Sequence, residues 1–278
     1  MLRLGITGAN GMLGSDLSSL AKRDGFLINS YDLPDYDITN KRTIDLIVNS
    51  NDLIVNCAAY TAVDKAESEV NPSYKINSDS VEKLGLAVNS MSKYMVHIST
   101  DFVFGDSSNI PLTEDDKPLP LGVYGASKLD GEEKLRKVCP NSAILRVQWT
   151  YGLHGDNFIK KILKAAETNK SLKIVEDQIG SPTPTISVSQ AILCLIASNT
   201  KGLFHYASNG YASRFEVAKF ILQEKGIERE LIPCLSSEFV TPAERPLNSR
   251  FNCSKIDKVL NYKRAFWKDE LREFLKLL

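Results

Sequence analysis

The chain has 278 residues, enough to bury most of its apolar surface in one large α/β domain or in a nucleotide domain carrying a smaller second lobe. Hydrophobic residues make up 43% and charged residues 24% of it, and 34 Lys plus Arg balance 34 Asp plus Glu, so a basic stripe for nucleic acid is not expected. Five cysteines, odd in number and never in C-x-x-C spacing, predict reduced thiols and a cytoplasmic address, and no run of about 18 apolar residues or signal-peptide pattern predicts membrane insertion.

The first predicted strand, "LRLGIT", runs into "GITGANGMLG", where Gly8, Gly11 and Gly14 stand in G-x-x-G-x-x-G spacing. A pyrophosphate approaching backbone N–H groups at a helix N-terminus needs a turn without Cβ atoms, so this loop, with Asn10, Met12 and Leu13, is a candidate dinucleotide site. A tight strand-to-helix turn without a ligand would use the same glycines. Met12, Leu13, Leu17, Leu20 and Ala21 then repeat at helical spacing and predict a helix laid on a sheet.

The second strand, "FLINSYD", ends at Asp32, 24 residues after Gly8, where a carboxylate can accept hydrogen bonds from the hydroxyls of an adenosine ribose. With no arginine close behind it, Asp32 favours NADH over NADPH, although Asp32 could equally start a turn ahead of Pro34. Asp37, followed by Ile38, is either an adenine-side contact or the N-cap of the next helix. "DLIVNCA", "YMVHIST", "AILRV", "LKIV" and "GLFHYAS" continue the series of short apolar strands between helical patterns. The fold class expected is α/β, a Rossmann-like doubly wound parallel sheet with a smaller substrate-binding lobe. Residues 1–149, with a returning piece near 184–208, form the expected NAD(P)-binding domain, and 150–183 with 209–278 the substrate lobe. "GSPTPTISVSQ" reads as a connection that leads into the apolar helix "QAILCLIAS".

"YMVHIST" ends at Thr100 and Asp101, at the carboxyl end of a strand, where open α/β sheets bind ligands. "VYGASK" then puts Tyr124 four residues ahead of Lys128, one helical turn apart. An ammonium about 5 Å from a phenolate is worth roughly 3 kcal/mol at an effective dielectric of about 20, so the tyrosine is expected to fall by about 2 pKa units toward neutrality. Taken alone, the pair fits a solvated helix face as well as it fits catalysis.

With the segments "AAYTAVDKAES", "HISTDFVFG", "VYGASKLDGE", "LRVQWTYG", "VEDQIGSPT" and "RPLNSRFN", the chain resembles the extended short-chain dehydrogenase/reductase family over nearly its whole length. The resemblance implies that Thr100, Tyr124 and Lys128 form the catalytic set, that Ala58, Ala59 and Thr61 lie beside NADH or NADPH, and that Val63, Asp101, Phe102 and Trp149 line a sugar pocket, joined by Asn157. The activity implied is reduction of the 4-keto group of a 6-deoxyhexulose carried on a nucleoside diphosphate, for cell-surface polysaccharide. Affinity for the remote diphosphate calls for cations in the second lobe, and "ERPLNSR", similar to the family's R-P-x-x-S-R segment, offers Arg245 and Arg250; both could instead tie loops together. Dehydratases of the family need an acid after the Thr-Asp pair, where this chain has Phe102. Epimerases, and a non-catalytic subunit like the beta subunit of methionine adenosyltransferase, remain alternatives.

Val147 and Gln148 depart from the Thr-Ser usual before the tryptophan matched by Trp149. Some members bind magnesium through glutamates at a dimer contact; Asp16 stands at one such position, and as a lone, solvated helix carboxylate it predicts no metal, while a homodimer stays open. Trp149, Phe158 and Trp267 fit core or pocket, with Trp267 expected in the core of the second lobe. His97, His154 and His205 have no metal spacing.

Overall fold

The computed structural model describes residues 1–105 and 108–278. In chain order the first half contains β1 (Arg3–Thr7), α1 (Met12–Arg23), β2 (Leu27–Tyr31), α2 (Lys41–Ser50), β3 (Leu53–Asn56), α3 (Val63–Ala66), α4 (Val70–Tyr74), α5 (Ser80–Ser90), β4 (Tyr94–Thr100), α6 (Val123–Val138) and β5 (Ser142–Val147). The second half adds β6 (Thr150–Tyr151), α7 (Phe158–Thr168), β7 (Ser171–Val175), β8 (Ile179–Gly180), β9 (Thr183–Pro184), α8 (Thr185–Ser198), β10 (Gly202–Tyr206), β11 (Ala212–Ser213), α9 (Arg214–Glu224), β12 (Glu230–Cys234), α10 (Ser254–Asp257) and α11 (Trp267–Leu275).

Six strands pair in parallel in the order β2-β1-β3-β4-β5-β10. Their near-continuous apolar residues follow from burial on both faces. Leu4, Ile6, Val55, Val96 and Leu145 pack toward α1 and α8, while Ile54, Met95 and Ile144 pack toward α2, α5 and α6. The chain leaves β1 for β2 on one side and returns to β3 on the other, which opens a crevice at the carboxyl ends of β1 and β3.

A second core gathers Ile159, Leu172, Val217, Ile221, Leu271 and Trp267 from α7, β7, α9 and α11. Trp267, only 2% exposed, meets Phe220 edge-on with centroids 5.3 Å apart, as expected of a core aromatic. The strand within "LKIV", in the segment assigned to the second lobe, packs in this core: β7 pairs in parallel with β12, about sixty positions later, in a separate two-stranded sheet. The segment before "QAILCLIAS" differs from expectation. α8 begins at Thr185, so "TISVSQ" is already helix, with Val188 and Ala191 buried against the main sheet. Asp16, expected to be solvated, is partly buried and accepts a hydrogen bond from the Thr185 hydroxyl, tying α1 to α8.

No described helix is long and apolar enough to cross a membrane, and among the described residues no group of three or more His, Cys, Asp or Glu side chains could hold a metal ion.

Candidate active site

A crevice of about 650 Å³ runs along the carboxyl edge of the sheet from Asp32 to Trp149. A second concavity of about 780 Å³ beside α9 and β12 is a shallow groove that contains none of the groups described below.

At one end lies the glycine loop. Gly8 adopts φ +65°, and a Cβ there would sit 2.7 Å from the Ala58 nitrogen; a Cβ on Gly14 would drive into the Gly8 carbonyl and lie 2.7 Å from Ala9 Cα. Side chains are thus excluded from a cradle whose floor is backbone. α1 starts behind it with no side-chain cap and no acid in its first turn, which leaves its first N–H groups and positive dipole end for an anion. Gly8, Gly11, Met12, Leu13, Asp32, Asp37, Ile38, Ala58, Ala59 and Thr61 all line this part of the crevice, and together they fit a dinucleotide. Asn10 is exposed and absent from the lining; its backbone N–H donates to Asp32 Oδ2 at 2.7 Å. The other Asp32 oxygen accepts from Leu33 N–H at 2.8 Å, so the carboxylate both starts a turn and faces the crevice. Asp37 accepts from Thr39 N–H at 2.8 Å and is not the helix cap; Asn40 caps α2 instead.

In the centre, β4 delivers Thr100 and Asp101, and α6 delivers Tyr124 and Lys128. The Tyr124 ring meets Phe102 edge-on at 5.4 Å, and its phenol is within hydrogen-bonding reach of the Thr100 hydroxyl. Lys128 is buried, its Nζ donating to the Ile98 carbonyl at 2.7 Å and lying 3.4 Å from His97 Nε2. Behind it runs a buried polar chain, with Thr7 hydroxyl on Asn56 at 2.6 Å and Asn56 on His97 Nδ1 at 3.0 Å. Burial holds His97 well below the usual imidazole range, so it faces Lys128 as a neutral ring.

The acidity of the pair differs from what helical spacing predicts. Burial pushes the Tyr124 phenol up to about 12, against the Thr100 hydrogen bond, and pushes the Lys128 ammonium down to about 8, against Glu132 and Cys57. Desolvation disfavours the charged form of each group, and neither Tyr124 nor Lys128 is among the causes that shift the other. Asp101 is likewise raised by burial, opposed by hydrogen bonds from Ser249 at 2.6 Å and Thr100 at 3.1 Å and by the charge of Arg214.

Val63, Phe102 and Trp149 border the same space. Trp149 has φ +46°, a left-handed conformation unusual for a bulky residue, just after β5 ends. Gly180 makes room for it, since a Cβ there would lie 2.7 Å from the indole. Asn157 is drawn away from the lining, where it caps α7 and donates to the Gly152 carbonyl at 2.9 Å. Arg245 is also outside it, its fork closed on Asp64 at 2.7 and 2.8 Å. The cation that does line the crevice besides Lys128 is Arg214, the first residue of α9. Sequence pattern alone does not single it out; the one local signal is the capping box Ser213–Glu216, which fixes where the helix begins.

A glycine cradle at the switch point of a parallel sheet, followed by a strand-end threonine and a Tyr-Lys helix, is the arrangement of a nucleotide-dependent oxidoreductase of the short-chain type. The sequence profile described as "RmlD substrate binding domain" matches residues 2–278. The chain is 34% identical over 287 residues to the dTDP-4-dehydrorhamnose reductase of Sinorhizobium fredii, covering 99% of this chain and 97% of that one. It is 34% identical over 278 residues to the spore coat polysaccharide biosynthesis protein SpsK of Bacillus subtilis, covering 99% and 98%. Its structure matches that of the dTDP-4-dehydrorhamnose reductase of Bacillus anthracis in complex with NADP, with TM-score 0.95, 32% identity and coverage of 100% and 99%. The chain belongs to the dTDP-4-dehydrorhamnose reductase (RmlD) family.

Proposed function

We propose that this protein reduces the 4-keto group of dTDP-4-dehydro-L-rhamnose to give dTDP-L-rhamnose for cell-surface polysaccharide, using NADH or NADPH. The observation that carries the reading is the convergence of Thr100, Tyr124 and Lys128 at the mouth of the glycine cradle. Relatives named for this reduction match almost the full chain, which supports it further.

Gly8, Gly11, Met12 and Leu13 hold the cofactor's pyrophosphate, Asp32 its ribose, and Ala58, Ala59 and Thr61 its nicotinamide side. The cofactor supplies a hydride to the keto carbon. Thr100 and Tyr124 both present a hydroxyl to the keto oxygen, and Tyr124 gives it the proton; the cost of leaving a phenolate in a buried site is reduced by the Lys128 ammonium. Phe102 and Trp149 cover the sugar with aromatic surface that excludes water, and Val63 and Asp101 complete its pocket. The hydride and nucleotide half comprises residues 1–149 with the returning 184–208, and the remainder forms the substrate lobe. Five free thiols support a cytoplasmic location.

Steady-state oxidation of NADH or NADPH, with and without the 4-keto sugar nucleotide, tests the reading. Substrate-dependent oxidation is expected, with Tyr124→Phe at least about 10²-fold slower. Absence of oxidation by the wild type would leave a binding role in its place, and near-normal turnover by the Phe variant would remove Tyr124 from the chemistry.

A further inference from the structure

Arg214 is a charged group with an unused fork. Its guanidinium carbon lies 3.5 Å from the centroid of the Trp149 ring and 4.9 Å from that of Phe158, and among the described residues its side chain makes no hydrogen bond or ion pair. Arg245, Arg264 and Arg146, by contrast, are each committed to a carboxylate. The group is fixed from both ends. The Ser213–Glu216 capping box sets the start of α9, the Arg214 N–H bonds the Gln178 carbonyl at 3.3 Å, and β11 pairs with β8 so that Gly180 brings Trp149 under the guanidinium. Stacking on two aromatic rings holds the plane of the fork while leaving its N–H edge free to donate.

The neighbouring acid does not use that edge. Asp101 spends its oxygens on Ser249 and Thr100, and although Arg214 acts on it electrostatically the two are not paired. Of the described residues lining the crevice only Lys128 and Arg214 are cationic, and Lys128 is buried against the Ile98 carbonyl. The α1 N-terminus serves one anion at the far end. A second anion bound beside Trp149 meets a cationic donor edge on Arg214, with the unpartnered Gln148 amide nitrogen as the neutral donor nearby.

We infer that Arg214, held flat on Trp149, is the residue that grips the diphosphate of the nucleotide sugar and so makes the enzyme select a diphosphate-linked sugar over a neutral or free one. The inference rests on the ketoreductase reading above and deepens it. Bidentate guanidinium–phosphate contact places the sugar's far side against Trp149, leaving the keto edge toward Thr100 and Tyr124. Arg245, locked on Asp64, then ties the 241–247 segment to α3 rather than meeting substrate.

Calorimetric titration of dTDP and of thymidine into the wild type, Arg214→Gln and Arg214→Lys separates the outcomes. Loss of charge-assisted hydrogen bonds predicts dTDP binding weaker by about 10- to 100-fold in Arg214→Gln, with partial recovery in Arg214→Lys. Thymidine and NADH affinities stay as in the wild type, and the Michaelis constant for the keto sugar nucleotide rises far more than kcat falls. Unchanged dTDP affinity in Arg214→Gln would overturn the inference, as would an equal loss for thymidine, which would mean that the arginine merely props Trp149. A wild type that binds dTDP through Arg214 but never oxidises NADH or NADPH with the keto sugar would sink the ketoreductase reading and leave this one standing.

Discussion

Lys128→Met removes the ammonium beside Tyr124 while keeping most of its stem in the α6 packing. Tyr124 and Lys128 lie one helical turn apart, and a phenolate that forms about 5 Å from an ammonium would gain roughly 3 kcal/mol at an effective dielectric of about 20, or about 10²-fold in rate. Burial works against both charges, setting the phenol up to about 12 and the ammonium down to about 8. Reduction needs the phenol protonated at the start and the ammonium protonated as the phenolate appears. The phenol meets its condition throughout the working range. The ammonium meets its own only below about 8, and its help is lost as pH rises through that value. Initial rates of NADH oxidation from about pH 6 to 10 should therefore show kcat/KM falling by about 10²-fold across an alkaline limb at or above about 8 in the wild type. Lys128→Met should be about 10²-fold slower at neutral pH and show no such limb. A limb retained at the same place in the variant would assign it to another group, and a wild-type profile flat to pH 10 would refute the reasoning outright.

Asp32→Ala should shift the NADPH to NADH ratio of kcat/KM toward NADPH by about tenfold or more, because it removes an acceptor for the ribose hydroxyls and a repulsion toward a 2′-phosphate; an unchanged ratio would show that the carboxylate serves only Asn10 and Leu33. Gly14→Ala should raise the Michaelis constant for the cofactor at least about tenfold and destabilise the fold by about 1–3 kcal/mol, since its Cβ meets backbone that cannot yield; wild-type cofactor kinetics would show that the loop has slack. Glu132→Gln leaves the Arg146 guanidinium buried without its counter-charge, both side chains being 2% exposed, and should cost about 3–5 kcal/mol in urea unfolding, whereas an apolar replacement of both partners should be close to neutral. A loss under about 1 kcal/mol in the single variant would mean that His205 and Phe104 suffice around the charge.

The sheet was legible where its rules are local. Apolar runs alternating with helical patterns identify β1 to β5, and the glycine spacing after "LRLGIT" identifies the cradle, because each depends on residues a few positions apart. The partner of β7 was not legible, because pairing with β12 is decided by packing far along the chain, which a strand-like run does not reveal. Helical spacing put Tyr124 and Lys128 on one face yet gave the wrong direction for the tyrosine, since it supplies the attraction between the charges and omits the desolvation that a finished fold imposes. Arg214 was invisible for a related reason. Its meaning lies in Trp149 and Gly180, brought to it by the β8–β11 pair, while Arg245, prominent in sequence, is consumed by Asp64.

The most direct measurement uses NADH deuterated at the transferable position and dTDP-4-dehydro-L-rhamnose, with the product sugar read by mass spectrometry and NMR. One deuterium on carbon 4 of the sugar for each NADH oxidised is the predicted result. Turnover of the sugar without net NADH oxidation and without retained label would contradict it and mark an epimerase on the same fold.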